Sequence, residues 1–107
     1  MFLRLSDMKY EEFLSKSPVQ GTFTIKNLAN GKVYIAPSSD LVKSYEKERF
    51  ALDMGMHENK ELQREYEEMG LELFQIEIDR RKNDEESLGE LYERRVGELK
   101  KEGVVLY

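Results

Sequence analysis

The sequence predicts an α+β domain in which a three-stranded antiparallel sheet is flanked by helices. Three observations predict it. Two apolar/polar alternations flank Asn30-Gly31, a third alternation lies near residues 72–78, and the remaining segments repeat apolar residues at helical spacing. The chain of 107 residues is one domain's worth, spanning 1–107 as a single unit with its core over about 19–99. Area scaling gives such a chain a folded surface of roughly 6,200 Å² against roughly 18,000 Å² unfolded, enough for one modest core.

Ser6 or Asp7 caps a short helix expected at about 7–16, with Met8, Tyr10, Phe13 and Leu14 on one face. Ser17-Pro18 ends it, because a residue before proline is pushed out of the α region. Val19, Gly21, Phe23 and Ile25 then alternate with Gln20, Thr22, Thr24 and Lys26. Asn30-Gly31 is a two-residue type I′ turn signal, and Lys32 to Ala36 forms the return strand, giving a hairpin over about 20–36. Pro37-Ser38-Ser39-Asp40 starts a helix whose stripe runs through Leu41, Tyr45 and Leu52 and which stops at Gly55. A second helix, about 59–69, carries Leu62, Tyr66 and Met69. Phe74, Ile76 and Ile78 mark the third strand, Arg80-Arg81-Lys82 and Asp84-Glu85-Glu86 form a solvated link, and Leu88, Tyr92, Val96 and Leu99 line a last helix at about 85–101. Residues 103–107 are an apolar tail that can dock, pair as an edge strand, or join two copies of the chain.

Charge and composition remove several functions. Seventeen Lys and Arg against 22 Asp and Glu leave a net charge of −5, which argues against gripping nucleic acid by charge alone. Five Phe and six Tyr are too many aromatics for a disordered chain. No apolar run is long enough to span a membrane, and the charged residues near Met1 leave no room for a signal-peptide core, so no membrane partner is expected and a cytoplasmic location is the default. The absence of cysteine excludes disulfides, thiolate metal sites and a cysteine nucleophile.

Two triplets in the hairpin carry a family resemblance. Gly21-Thr22-Phe23 and Tyr34-Ile35-Ala36 are separated by ten residues, and downstream Gly55-Met56-His57-Glu58-Asn59-Lys60-Glu61-Leu62-Gln63 precedes the strand Glu72 to Ile78. This arrangement, over residues 19–99, resembles the GIY-YIG endonuclease superfamily, and in particular its small bacterial members. The resemblance implies metal-assisted hydrolysis of a DNA phosphodiester, with a tyrosine to activate water, a carboxylate to hold one divalent cation and a cation to steady the phosphate.

Position by position, this chain departs from that pattern. The first family tyrosine is Phe23 and the second is kept as Tyr34. The family arginine falls on Ser44, the following polar position on Glu48, and the metal-binding glutamate on Tyr92. Glu93 and Glu90 are the nearest carboxylates, but a one-residue step turns a side chain about 100° around a helix. These substitutions make a degenerate site with no cofactor expected; Mg or Mn enters only if an attenuated endonuclease survives. His57 reads as a cap or loop residue, with a base or metal ligand as the alternative. Arg80-Arg81-Lys82 with Arg94 and Arg95 is a basic stretch broken by Asp79 and Asp84 to Glu86, so nucleic acid binding is expected to be weak. The expectation is a small interaction or regulatory module with a protein partner that the sequence does not identify. A metal-dependent endonuclease and a non-catalytic binder of structured nucleic acid are its rivals.

Overall fold

A computed structural model describes residues 18–107, and the helix expected at about 7–16 lies outside the described residues. The elements run β1 (Gly21–Asn27), β2 (Val33–Ser38), α1 (Leu41–Asp53), α2 (Lys60–Met69), a 3-10 turn (Leu71–Leu73), β3 (Phe74–Arg81) and α3 (Leu88–Lys101). The sheet is antiparallel in the order β2-β1-β3, with Phe23 opposite both Ala36 and Ile78 and Ile25 opposite both Tyr34 and Ile76.

Strand alternation divides the side chains between two layers. Phe23, Ile25, Phe74, Ile76 and Ile78 pack with Leu41 and Leu52 of α1 and Leu62 and Tyr66 of α2. Each fully buried side chain of this size contributes roughly 1.5–3 kcal/mol. On the other face α3 packs across β1 and β2. Each helix begins on a side chain that accepts a backbone N–H: Asp40 from Lys43, Asn59 from Leu62, and Ser87 from Glu90, whose own carboxylate returns the bond to the Ser87 N–H.

The hairpin forms, but not through a type I′ turn. That turn needs positive φ at both central residues, and here only Gly31 has it (φ 78°). A four-residue loop, Leu28 to Gly31, closes instead with Gly31 N–H on Asn27 O at 2.8 Å. Both asparagine side chains stabilise it, Asn27 Oδ1 accepting from Ala29 N–H and Asn30 Oδ1 from Lys32 N–H.

Three other expectations need correction. The third strand starts at Phe74 and reaches Arg81, so Arg80 and Arg81 belong to the sheet rather than to a solvated link. A bulge opposite Thr22 and Phe23 breaks the alternation there, which hid the strand's end. At the same place Gly21 touches the Arg80 carbonyl so closely that a Cβ would lie 2.0 Å from it, and only glycine fits. In α3 the most buried line is Leu91, Arg95 and Leu99, with Leu88, Tyr92 and Val96 half-buried beside it. Arg95 is hidden because its guanidinium grips Asp79 with two bonds of 2.8 and 2.9 Å, and Met69 is exposed at the end of α2. The tail docks on its own chain: Val33 N–H donates to Val105 O and Tyr107 N–H to Val33 O, a parallel bridge on the free edge of β2.

Candidate functional site

Tyr34 is the second residue of β2, and its neighbours come from β1, α1 and the connection between α1 and α2. Phe23 on β1 lies beside it, ring centroids 6.3 Å apart. His57 comes from the connection between α1 and α2, where Gly55 (φ 73°) turns the chain away from the helix. Gln63 then fixes the loop: its Oε1 accepts from His57 N–H at 3.0 Å while its Nε2 donates to Leu52 O at 3.0 Å. This places the His57 ring edge-on to Tyr34, centroids 5.0 Å apart and planes at 85°.

Two carboxylates complete the cluster. The Tyr34 hydroxyl donates to Glu58 Oε1 at 2.9 Å, and Glu48 Oε2 on α1 lies 2.7 Å from His57 Nε2. That second contact is close but poorly aligned, so the buried Nε2 has no directed hydrogen-bond partner. Burial first, then the bond to Glu58 and the charges of Glu48 and Glu58, push the Tyr34 phenol well above its ordinary value. The Tyr92 phenol on α3 adds a smaller contribution in the same direction.

Around Tyr34 the structure thus gathers Phe23, His57, Glu58 and, through His57, Glu48. Ser44 lies one turn before Glu48 on α1, and its Oγ is 2.5 Å from Ser38 Oγ. Glu90 is held in the capping box of α3, and Glu93 is exposed. His57 is a loop residue between α1 and α2, as expected, and a buried one: it is 1% exposed against Tyr34 and its Nδ1 accepts the Asn59 N–H. Glu58 was invisible as a site residue in the sequence; its only signal is adjacency to His57 in the Gly55-to-Gln63 stretch. The basic stretch is largely paired: Arg94 binds Glu86 and Glu98, Arg95 binds Asp79 and Glu98, and Arg80 reaches the Asp79 carbonyl.

No protein-family model matches the chain, and no curated protein matches it either. Among solved structures, the catalytic domain of homing endonuclease I-TevI matches with a TM-score of 0.64 and 28% identity, over 77% of this chain and 86% of that one. A mutant of the catalytic domain of intron endonuclease I-TevI matches with a TM-score of 0.63 and 26% identity, over 78% and 82%. This is a GIY-YIG-like fold.

The divalent cation that the GIY-YIG resemblance implies does not fit the residues around Tyr34. Among the described residues no three His, Asp or Glu side chains converge to hold a metal ion. His57 offers no lone pair: Nδ1 accepts the Asn59 N–H at 3.0 Å, which puts the ring proton on Nε2. Glu58 is bonded to Tyr34 and Glu48 lies against His57, so neither points with the other at a shared position. What the cluster offers is an aromatic surface with two carboxylates, a setting that repels phosphate and attracts cations.

Proposed function

We propose that this chain is a GIY-YIG-like domain without nuclease chemistry, acting as a small interaction or regulatory module for a protein partner. The observation that carries the reading is the state of Tyr34. A tyrosine that activates water must release or share its proton, and here the hydroxyl donates to a carboxylate beside a second carboxylate. Phe23 supplies no second hydroxyl, and Ser44 supplies no charge for a phosphate. The internal pairing of Arg94 and Arg95 supports weak nucleic acid binding in addition.

Supercoiled plasmid incubated with the protein and magnesium or manganese tests the reading. The expected result is no nicking. Metal-dependent nicking that Tyr34→Phe lacks means an attenuated endonuclease and overturns it. Removing one transition-state stabiliser costs about 10²–10³ in rate, and such losses are not additive when the groups act together. Phe23→Tyr or Ser44→Arg alone therefore restores nothing measurable, whereas the two combined with Tyr92→Glu restore weak nicking. Duplex and branched DNA are expected to bind no tighter than the roughly 10⁻⁴–10⁻⁶ M of non-specific complexes at physiological salt. Sub-micromolar affinity with a steep salt dependence shifts the reading to a non-catalytic nucleic acid binder.

A further inference from the structure

We propose that the groove between the C-terminal ends of α1 and α2 binds a basic amphipathic helix presented by a protein partner. The proposal rests on the reading of the chain as a module for a protein partner, and it adds the surface and that partner's chemistry. The groove has a volume of about 430 Å³, with buried Leu52 and Tyr66 at its base. Met54 lines it from the α1 side and Leu71 from the α2 side. Gly55 and Gly70 line it as well, and a Cβ added at Gly70 would meet nothing within 4 Å, so the groove is open there.

The rim is apolar. Phe50 is 59% exposed, Met54, one turn later, 58%, and Leu71 42%. Beyond Leu71, the carbonyl of Leu73 accepts the Leu28 N–H at 2.7 Å, and both of these leucines are exposed too. The described residues include three methionines, Met54, Met56 and Met69, and all three are exposed beside Gly55 or Gly70. Large apolar residues gathered in this way mark an interaction surface, whereas scattered ones do not. Methionine suits such a surface because its unbranched, polarizable side chain adapts to the shape it meets.

Charge selects the occupant. Asp53 and Glu67 line the groove, and among the described residues no lysine or arginine does. Both helices end here, and the last carbonyls of a helix carry partial negative charge. Neither α1 nor α2 has a basic residue in its last turn, whereas α3 has Lys100 and Lys101 in its own. Arg49, one turn back on α1, reaches Asp53 at 3.7 Å from an exposed position. Two negative helix ends and two carboxylates around an apolar floor fit a helix with leucine-like anchors on one face and lysine or arginine beside them. Nucleic acid and anionic lipid present phosphates, which this rim repels.

The test is an amide NMR titration of the full chain with a short helical peptide of leucine and lysine, its leucines on one face. One control peptide replaces every lysine by glutamate, and a second replaces every leucine by serine. The expected result is saturable shifts centred on Met54, Gly55, Gly70 and Leu71, with a dissociation constant below about 1 mM and each control weaker by at least about tenfold. Met54→Ser combined with Leu71→Ser weakens binding at least about tenfold. Val105→Ser, an exposed apolar position on the tail, leaves it unchanged. Unchanged α3 amide shifts verify that the variants fold, and the two control peptides test the proposal on wild type alone. Absence of shifts, equal binding of either control peptide, or wild-type affinity in the double variant overturns the proposal. So does another occupant: a wild-type dimer in sedimentation that the double variant lacks, or Overhauser contacts from residues 1–17 to the Met54 or Leu71 methyl groups. Plasmid nicking reports separately: an inert protein that ignores the peptide defeats this inference alone, whereas metal-dependent nicking defeats the non-catalytic reading itself.

Discussion

Glu58, just before the Asn59 cap of α2, and Glu65, in the middle of α2, stand seven residues apart, and their surroundings are opposite. Glu65 is buried and receives Asn27 Nδ2 at 3.0 Å, Asn30 Nδ2 at 2.8 Å, the Tyr107 hydroxyl at 2.8 Å and Lys32 Nζ at 3.2 Å. Burial alone would raise its pKa, but these donors outweigh it and hold the group at about 2. Glu58 is exposed, takes one hydroxyl and has no cationic partner among the described residues. The difference separates a charge consumed by the fold from a charge exposed at the surface. Glu65 ties the hairpin loop, α2 and the tail together, so its chemistry is complete. Glu58 makes only a surface bond, accepting the Tyr34 hydroxyl.

The largest expected effect is therefore at Glu65. Glu65→Ala removes the acceptor shared by two amides and a hydroxyl and leaves Lys32 to Glu61 alone, and breaking a buried charge network costs about 3–5 kcal/mol. For a domain of this size, the melting temperature should fall by more than roughly 10 °C in a calorimetric scan. A variant that melts like wild type would erase the contrast between the two glutamates.

Acid sharpens the same contrast. The folded-state pKa of Glu65 lies below its ordinary 4.5, so its contribution is fully present above about pH 4.5 and is lost as pH falls toward 2. Urea midpoints measured at pH 6 and pH 3 should drop further for wild type than for Glu65→Gln, which has no carboxylate there to titrate. Equal drops would mean that other carboxylates carry the acid sensitivity.

A smaller loss is expected at the tail. The Tyr107 hydroxyl donates to Glu65 and accepts from Asn27 Nδ2 at 3.1 Å, while the backbone bridge to Val33 does not involve it. Tyr107→Phe should cost about 1.5 kcal/mol, the low end for a hydrogen bond to a charged group. Urea denaturation measures it, and a loss as large as that of Glu65→Ala would mean that the tail itself detaches.

The sequence made some of this legible. Alternation placed β1 and β2, and the polar residues before the Leu41 periodicity located the cap of α1, because those signals are local. The turn at Asn30 was misread because its side chain is engaged by Glu65, 35 residues away, and by the Lys32 N–H. Arg95 departs from the expected stripe because its partner Asp79 lies on a bulged strand 16 residues earlier. Motif spacing picked out Phe23, Tyr34, Glu48 and Tyr92 as the positions matching the family site; of these, Phe23 lies beside Tyr34 and Glu48 reaches the His57 ring that packs on it. It could not reveal Glu58 or the burial of His57, because those depend on where the loop after Gly55 folds back.

The smallest expected effect on stability is at Glu58, and its smallness is the informative part. Glu58→Gln keeps an oxygen to accept the Tyr34 hydroxyl and removes a charge that has no cationic partner among the described residues. Exposed substitutions of this kind fall within about 0.5 kcal/mol of wild type in either direction. The same change removes one of the two charges that hold the Tyr34 phenol protonated, so Tyr34 should ionise at lower pH. Ultraviolet titration of the phenolate band reads this directly, with Tyr34→Phe identifying which step belongs to Tyr34. A neutral stability change with a lowered Tyr34 transition identifies Glu58 as a surface charge that the fold does not need. A loss of several kcal/mol would instead place Glu58 in the same class as Glu65, and the distinction between the two glutamates would be gone.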